Sequence, residues 1–596
     1  MTPSTELTLA AATGIGYGMP NATALDGAAI SSPVRRRFIR VHGRGVHYYR
    51  AGEGPPVVLL HSAMSSARAE LPLLHQLKSD HTVFAFDIPG MGDSDPLGKR
   101  GLRIGDAADA LQATLEALQI PRCPIYGSHT GGVIALELAR RHPECISALI
   151  KIGVHIFSAR EAEPILAEEY RPVLTVKDDG SQLLADWTRS RDLMTWFPPY
   201  VRRAANRLPW KFPTPGELHD HFLDRARAGN GYRAIYGAVL NVCMDERKAV
   251  SALTLPATFM ADTHDILFRH LDRMPKLRPN QHVVRYTRDP QGYVAEKARV
   301  ARSYRVEASS PPDLPFRPTP GRINRRYVDL TGGQILVRSV GEARSGPPVL
   351  LLHDGLASSR VFEPLMCALG IHRAVYALDL PDNGASDALA QDRPRIGHYA
   401  DIVSDVMNAL GFERGDILAV GAGGTVALDL LNRPACAGWR GVLEAPNFYE
   451  PALARRLEAG WAPSMAPEWD GAHLNRMWLM MRDEYAFWPW FDKSPEAARA
   501  VNALDSWEEM HARAIDVLRS LRTYHRLIVS SLQYDWAPAL RRAGPRVLRL
   551  AIVEGDPRRV HTEAAARVRG LPAVAVLPSP AARRAREILR LLSRWR

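Results

Sequence analysis

His129 stands in the sequence context best suited to chemistry, Ile125-Tyr126-Gly127-Ser128-His129-Thr130-Gly131-Gly132-Val133. A β-rich stretch runs into a turn of small residues and then a helical pattern, so the backbone bends sharply at the histidine. An imidazole of ordinary pKa, about 6.5, can act as base, acid or nucleophile without a separate activator. The pattern recurs in Ile417-Leu418-Ala419-Val420-Gly421-Ala422-Gly423-Gly424-Thr425, with Gly421 in the place of His129. Glycine brings no reacting group, so any such chemistry belongs to the first copy. Trp187 and Arg191 stand four apart, as do Trp478 and Arg482, and each pair shares one helix face. That arrangement suits an aromatic-lined pocket whose one fixed cation meets a carboxylate on the substrate. The alternative, which the pattern suits better, is an arginine pinned structurally under the cap by a carboxylate. His61, His129 and His264 are the histidines to weigh as metal ligands, but their spacing fixes no ligand geometry and no metal is assigned.

The elements that position these residues are written twice. Val57-Val58-Leu59-Leu60-His61 matches Val349-Leu350-Leu351-Leu352-His353 at an offset of 292 residues. At the same offset Phe86-Asp87-Ile88-Pro89 and Gly92-Asp93-Ser94-Asp95 match Leu378-Asp379-Leu380-Pro381 and Gly384-Ala385-Ser386-Asp387. Asp265 and Asp556 differ by 291. Register held this closely over such a length marks a duplication. The first unit spans 34–305 and the second 322–596, joined by a Pro-rich spacer at 306–321 that can enter neither sheet. Residues 1–33, rich in Ala, Gly, Thr and Ser, are expected to form a disordered leader and make a poor signal peptide. Within each unit, short β-rich runs such as 56–60, 82–86 and 123–126 alternate with helical patterns such as 133–141. Alternation of this kind predicts an α/β fold with a mostly parallel sheet flanked by helices.

The two strand–turn–helix runs resemble the nucleophile elbow of the α/β-hydrolase superfamily, where Gly-x-Ser-x-Gly holds a serine on a sharp turn. His129 and Gly421 stand at the serine's place; moving the motif back to Ser128 would put Gly131 out of step. The resemblance covers nearly all of both units. It implies two tandem α/β-hydrolase-fold domains, each with a helical cap, at about 159–251 and about 450–538. It also implies roles for individual residues. Ala63, in the loop His61-Ser62-Ala63, and Thr130, just after the elbow, would be the oxyanion donors, matched by Gly355 and Ala422 in the second unit. Asp265 would be the acid, matched by Asp556. His129 would face His61 across the pocket mouth with Asp265 in reach. The base of the family, a histidine after the last strand, is missing from both 284–292 and 576–582. A Ser-His-Asp triad is therefore not expected in either unit.

Bulk composition narrows the function further. At 596 residues, 46% hydrophobic and 23% charged, the chain reads as globular and too long for one core. The net charge of +12 is mostly arginine spread along the chain, concentrated only at Arg583, Arg584, Arg586, Arg590, Arg594 and Arg596. That cluster lacks a series of stacking aromatics, so it reads as the solvated face of a closing amphipathic helix and not as a nucleic-acid surface. The five cysteines, Cys123, Cys145, Cys243, Cys367 and Cys436, form no Cys-x-x-Cys and suggest neither a disulfide framework nor zinc. No apolar run reaches the roughly 18 residues of a membrane span. A cytoplasmic protein without cofactor, membrane or nucleic-acid partner is expected, its two domains paired within one chain. The leading reading is an atypical hydrolase or lyase-like enzyme. It would act on a small apolar carbonyl or ester compound through a His129-centred pocket, with the second domain catalytically silent. The alternative is a double pseudoenzyme that binds a ligand or protein without turnover.

Overall fold

The computed structural model describes residues 33–209, 211–243, 246–287, 292–342, 346–499 and 506–593. The chain forms two compact units, one built mainly from 46–312 and one mainly from 313–596. The expected leader lies outside the described residues apart from its last position.

The first sheet contains β1 (Arg35–Val41), β2 (Arg44–Ala51), β3 (Pro56–Leu60), β4 (Thr82–Phe86), β5 (Cys123–Ser128), β6 (Ile146–Ile152), β7 (Ala257–Asp262) and β8 (Gln281–Tyr286). Their order across the sheet is β1-β2-β4-β3-β5-β6-β7-β8. Strands β3 to β8 pair in parallel, and β2 runs antiparallel to β4. Every residue of β3, β4 and β5 is buried, as parallel strands covered by helices on both faces must be. That is why Val57-Val58-Leu59-Leu60 is uniformly apolar and does not alternate.

The second sheet contains β9 (Asn324–Leu330), β10 (Gly333–Val340), β11 (Val349–Leu352), β12 (Val375–Leu378), β13 (Gly415–Val420), β14 (Trp439–Glu444), β15 (Val547–Val553) and β16 (Ala575–Leu577). Read from β9 to β16, its strand order is that of the first sheet. The register is preserved as well: Ser128 on β5 lies opposite Ile152 on β6, and Val420 on β13 opposite Glu444 on β14. Two tandem α/β-hydrolase-fold domains are thus present. Between β6 and β7 lie the helices Ala159–Leu166, Ser181–Leu193, Pro215–Ala228, Gly231–Cys243 and Arg247–Ala252. The corresponding stretch between β14 and β15 holds Pro451–Gly460, Ala472–Ala486, Trp507–Arg519, His525–Leu532 and Trp536–Arg542.

The repeated Asp-x-Pro signature proves to be a clamp. Asp87 accepts from the backbone N–H of Ala67 at 2.7 Å and of Asp93 at 2.8 Å. Asp379 does the same for Ser359 and Ala385, each at 2.8 Å. One carboxylate thereby fixes two loops at the sheet's carboxyl edge. The closing helix Ala581–Ser593 is amphipathic as expected, burying Ala585, Ile588, Leu591 and Leu592. Not all of its basic face meets solvent, because Arg584 pairs with Glu444. Among the described residues no helix is long and apolar enough to cross a membrane.

Candidate active site

His129 sits between β5 and the helix Thr130–Arg141 with φ 43° and ψ −104°. A non-glycine residue adopts that conformation only at a cost of about 1–3 kcal/mol, held by its surroundings. The turn is locked in part by Gly131, where a Cβ would come within 2.5 Å of the Leu60 carbonyl oxygen. The helix can therefore press against β3 only if that position is glycine. Thr130 opens the helix, so its N–H has no carbonyl four residues back within it.

The imidazole reaches Asp265 directly: His129 Nε2 is 3.1 Å from Asp265 Oδ2. The other carboxylate oxygen of Asp265 accepts from the Leu267 N–H at 2.8 Å. Burial pushes the Asp265 carboxyl up, but the neighbouring His129 and its hydrogen bonds outweigh this and hold it below the usual range. The carboxylate is nearly enclosed, with 5% of the side chain exposed, while His129 keeps 23%. It opens onto a cavity of about 180 Å³ lined by Ala63, Thr130, His155, Phe157, Leu193, Met194, Phe197 and Leu267, among others. Polar groups on its wall include Arg68, which pairs with Asp220 at 3.1 Å and with Asp224 at 3.5 Å.

In the second unit Gly421 has the same backbone, φ 54° and ψ −120°. A Cβ there would lie 2.1 Å from the Asp354 carboxyl carbon. That carboxylate occupies the anion hole: Oδ1 accepts from Gly355 N–H at 2.8 Å and from Ala422 N–H at 2.9 Å. Arg558 bridges Asp354 Oδ2, at 3.1 Å, and Asp556, at 2.7 Å. The donors expected to remain available for a ligand are thus filled by the unit's own side chain.

The profile of the alpha/beta hydrolase fold family matches residues 55–292. The first unit matches the α/β-hydrolase fold over most of its length. Curated relatives include a cis-3-alkyl-4-alkyloxetan-2-one decarboxylase of Shewanella oneidensis, 29% identical over 136 residues, covering 22% of this chain and 43% of that protein. A pimeloyl-[acyl-carrier protein] methyl ester esterase of Shewanella woodyi is 33% identical over 120 residues, 20% of this chain and 43% of the relative. Human epoxide hydrolase 4 is 29% identical over 121 residues, 20% of this chain and 33% of the relative. The chain spans less than half the length of each of these relatives.

Within this α/β-hydrolase framework His129, Asp265, Ala63 and Thr130 come together at one cavity. Three expected residues do not join them. His61 is fully buried, with Nδ1 2.7 Å from the Ser62 carbonyl oxygen and Nε2 accepting from Ile88 N–H at 3.0 Å. It ties the loop after β3 to the loop after β4 and does not face the pocket. Trp187 is also fully buried, packed edge-on against Phe222 at 5.8 Å. Neither it nor Arg191 lines the cavity, which takes Leu193 at the end of that helix and Met194 just after it. His61, His129 and His264 do not converge as a ligand set among the described residues. The group that does, His47, Asp87 and Asp93, is already satisfied: His47 holds Asp87 at 2.7 Å and Arg227 holds Asp93 at 2.5 Å. Sequence reasoning missed His155 and, in the second unit, Asp354. Aligning the repeats beyond the elbow would have flagged both, because Ser62 matches Asp354 and His155 matches Asn447 at the common offset of 292.

Proposed function

We propose that the first unit is an atypical hydrolase acting on a small, largely apolar ester or related carbonyl compound, with His129 in place of the serine and Asp265 as its partner. The observation that carries this reading is the 3.1 Å contact between His129 Nε2 and Asp265 Oδ2 at a strained elbow facing a cavity. With Asp265 accepting the Nε2 proton, the lone pair resides on Nδ1. That nitrogen takes a proton from water as the water oxygen adds to the carbonyl carbon. The oxyanion so formed is met by the Ala63 and Thr130 N–H groups, and the imidazolium returns the proton to the departing alkoxide. The same base would serve a lyase-like reaction by taking a proton from the carbon next to the carbonyl. A cavity of about 180 Å³ is smaller than the roughly 300–1,000 Å³ of sites for drug-sized ligands, which supports a small substrate. An oxetan-2-one and a methyl ester, named for two of the relatives, are both carbonyl compounds and agree with that class. The second unit is proposed to have no chemistry, since Gly421 lacks a reacting group and Asp354 fills the hole.

The test is a panel of p-nitrophenyl esters and thioesters of increasing acyl length. His129→Ala should lower kcat/KM by roughly 10²–10⁴, and Asp265→Asn should lower it as well. Rates equal to wild type in His129→Ala would end the His129 mechanism and leave the unit as a binding module. A serine-directed fluorophosphonate should not label the protein; stoichiometric labelling would mean that a serine, not water, is the nucleophile.

A further inference from the structure

A second imidazole shares the cavity with His129 and has its own buried support. His155 lies beyond the end of β6, its ring centroid 5.9 Å from that of His129 and nearly perpendicular to it. Its Nδ1 is 3.1 Å from Glu246 Oε1, and its backbone N–H donates to Glu246 Oε2 at 3.1 Å. The Glu246 N–H in turn donates to the His155 carbonyl oxygen at 3.1 Å. Behind Glu246, the Lys151 ammonium sits 3.2 Å from Oε1 with no solvent exposure. Space for that lysine is made by Gly132, where a Cβ would meet Lys151 Cγ at 2.9 Å. An ionised Glu246, matched in charge by Lys151, can only accept from Nδ1, so Nδ1 carries the proton and Nε2 the lone pair. The second unit has Leu443 and Asn447 at the places of Lys151 and His155. The chain of three residues therefore accompanies His129 and is lost where His129 is lost.

We propose that His155 is a second, neutral imidazole of the active site, held by Lys151 and Glu246 so that Nε2 accepts a hydrogen bond from the ligand. This deepens the reading of the first unit by naming its ligand class. The site takes a carbonyl compound that also carries a hydroxyl close to the carbonyl, with His129 at the carbonyl and His155 at the hydroxyl. Burial lowers the His155 pKa to about 4, against the opposing pull of Glu246. The charged and titratable groups facing it are Glu246, Lys151, His129 and, through His129, Asp265. A buried acceptor left empty rejects a ligand that lacks the matching donor.

Diethyl pyrocarbonate labelling of the full chain, mapped by mass spectrometry, tests this without turnover, so its failure and that of the hydrolase reading are separable. The reagent acylates only unprotonated imidazole. From pH 7 to pH 5 an imidazole of ordinary pKa loses reactivity roughly 20-fold, whereas His155 should change less than twofold, with added N-acetylhistidine as the control. The second arm is protection by 2-hydroxyacetophenone against acetophenone, neither of which can be hydrolysed. The hydroxyketone should protect His155 at about tenfold lower concentration. Labelling of His155 that declines in step with N-acetylhistidine, no labelling at either pH, or equal protection by the two ketones would each overturn the proposal.

Discussion

Placing a histidine at the elbow changes what the acid does. In a Ser-His-Asp site the aspartate orients a separate base, whereas Asp265 reaches the elbow side chain itself, 3.1 Å from His129 Nε2. In the proposed mechanism base and elbow are one residue, so the missing histidine after the last strand does not by itself remove a base from the first unit. At the second elbow the residue-level logic is steric. Gly421 cannot be other than glycine while Asp354 is present, because a Cβ would lie 2.1 Å from its carboxyl carbon. Gly421→Ala is expected to cost the second unit about 3 kcal/mol or more, from the clash and the positive φ together. Asp354→Ser should cost about 1–2 kcal/mol by freeing one side of Arg558, a pair only partly shielded from water. Combined, the two changes should be less damaging than their sum by more than 1 kcal/mol, since the serine removes what the new methyl strikes. Strict additivity in chemical denaturation would show that the two residues do not share the space.

At the scale of elements, what could be read from the chain was whatever is local or repeated. Apolar runs of five residues between helical patterns specify buried parallel strands, and a constant offset specifies a second copy; neither needs a contact map. The elbow was legible for the same reason, as Gly127, His129 and Gly131 are adjacent in sequence. The cap misled because spacing says which residues share a helix face but not where that face points: Trp187 turned into the helix packing and Leu193 and Met194 toward the cavity. His61 misled because its partners are backbone atoms of Ser62 and Ile88, which carry no sequence signal. Glu246 and His155 are 91 residues apart, and only the fold brings them together. Paired glycines in the elbow helix invite a test at this scale. At Gly131 a Cβ would strike the neighbouring strand, the Leu60 carbonyl oxygen at 2.5 Å, whereas at Gly132 it would meet the Gly127 carbonyl oxygen at 2.8 Å and Lys151 Cγ at 2.9 Å. Gly131→Ala, with the closer backbone contact, should therefore destabilise the first unit by about 2–3 kcal/mol and Gly132→Ala by less, about 1–2 kcal/mol. Equal shifts in thermal midpoint for the two variants would contradict this placement of the helix against β3.

The whole molecule carries buried imidazoles in both units, and this ties its stability to pH in one direction. Burial lowers His155 in the first unit to about 4, and His511 in the second to about 4 as well. Buried His61 and His353 are lowered too, chiefly by desolvation. For each, the unfolded chain takes up a proton near pH 6.5 that the folded chain takes up only at a lower pH. Between those values the unfolded state holds more protons, so stability falls as the pH drops. His155 or His511 alone contributes up to about 3 kcal/mol, fully present above pH 6.5 and lost by about pH 4. Asp265 adds to the loss at the acid end: its folded pKa is depressed, so its contribution is intact above the ordinary carboxylate pKa and disappears as the pH falls through the folded value. At roughly 2–4 °C per kcal/mol for domains of this size, each unit should lose on the order of 5–10 °C between pH 6.5 and 4.5. His155→Asn, which installs the residue the second unit carries as Asn447, should flatten that dependence for the first unit alone. His511→Asn should flatten it for the second alone. Calorimetry of the intact chain across this range reads both, and a midpoint that holds steady or rises as the pH falls would show that these histidines are already protonated in the folded protein.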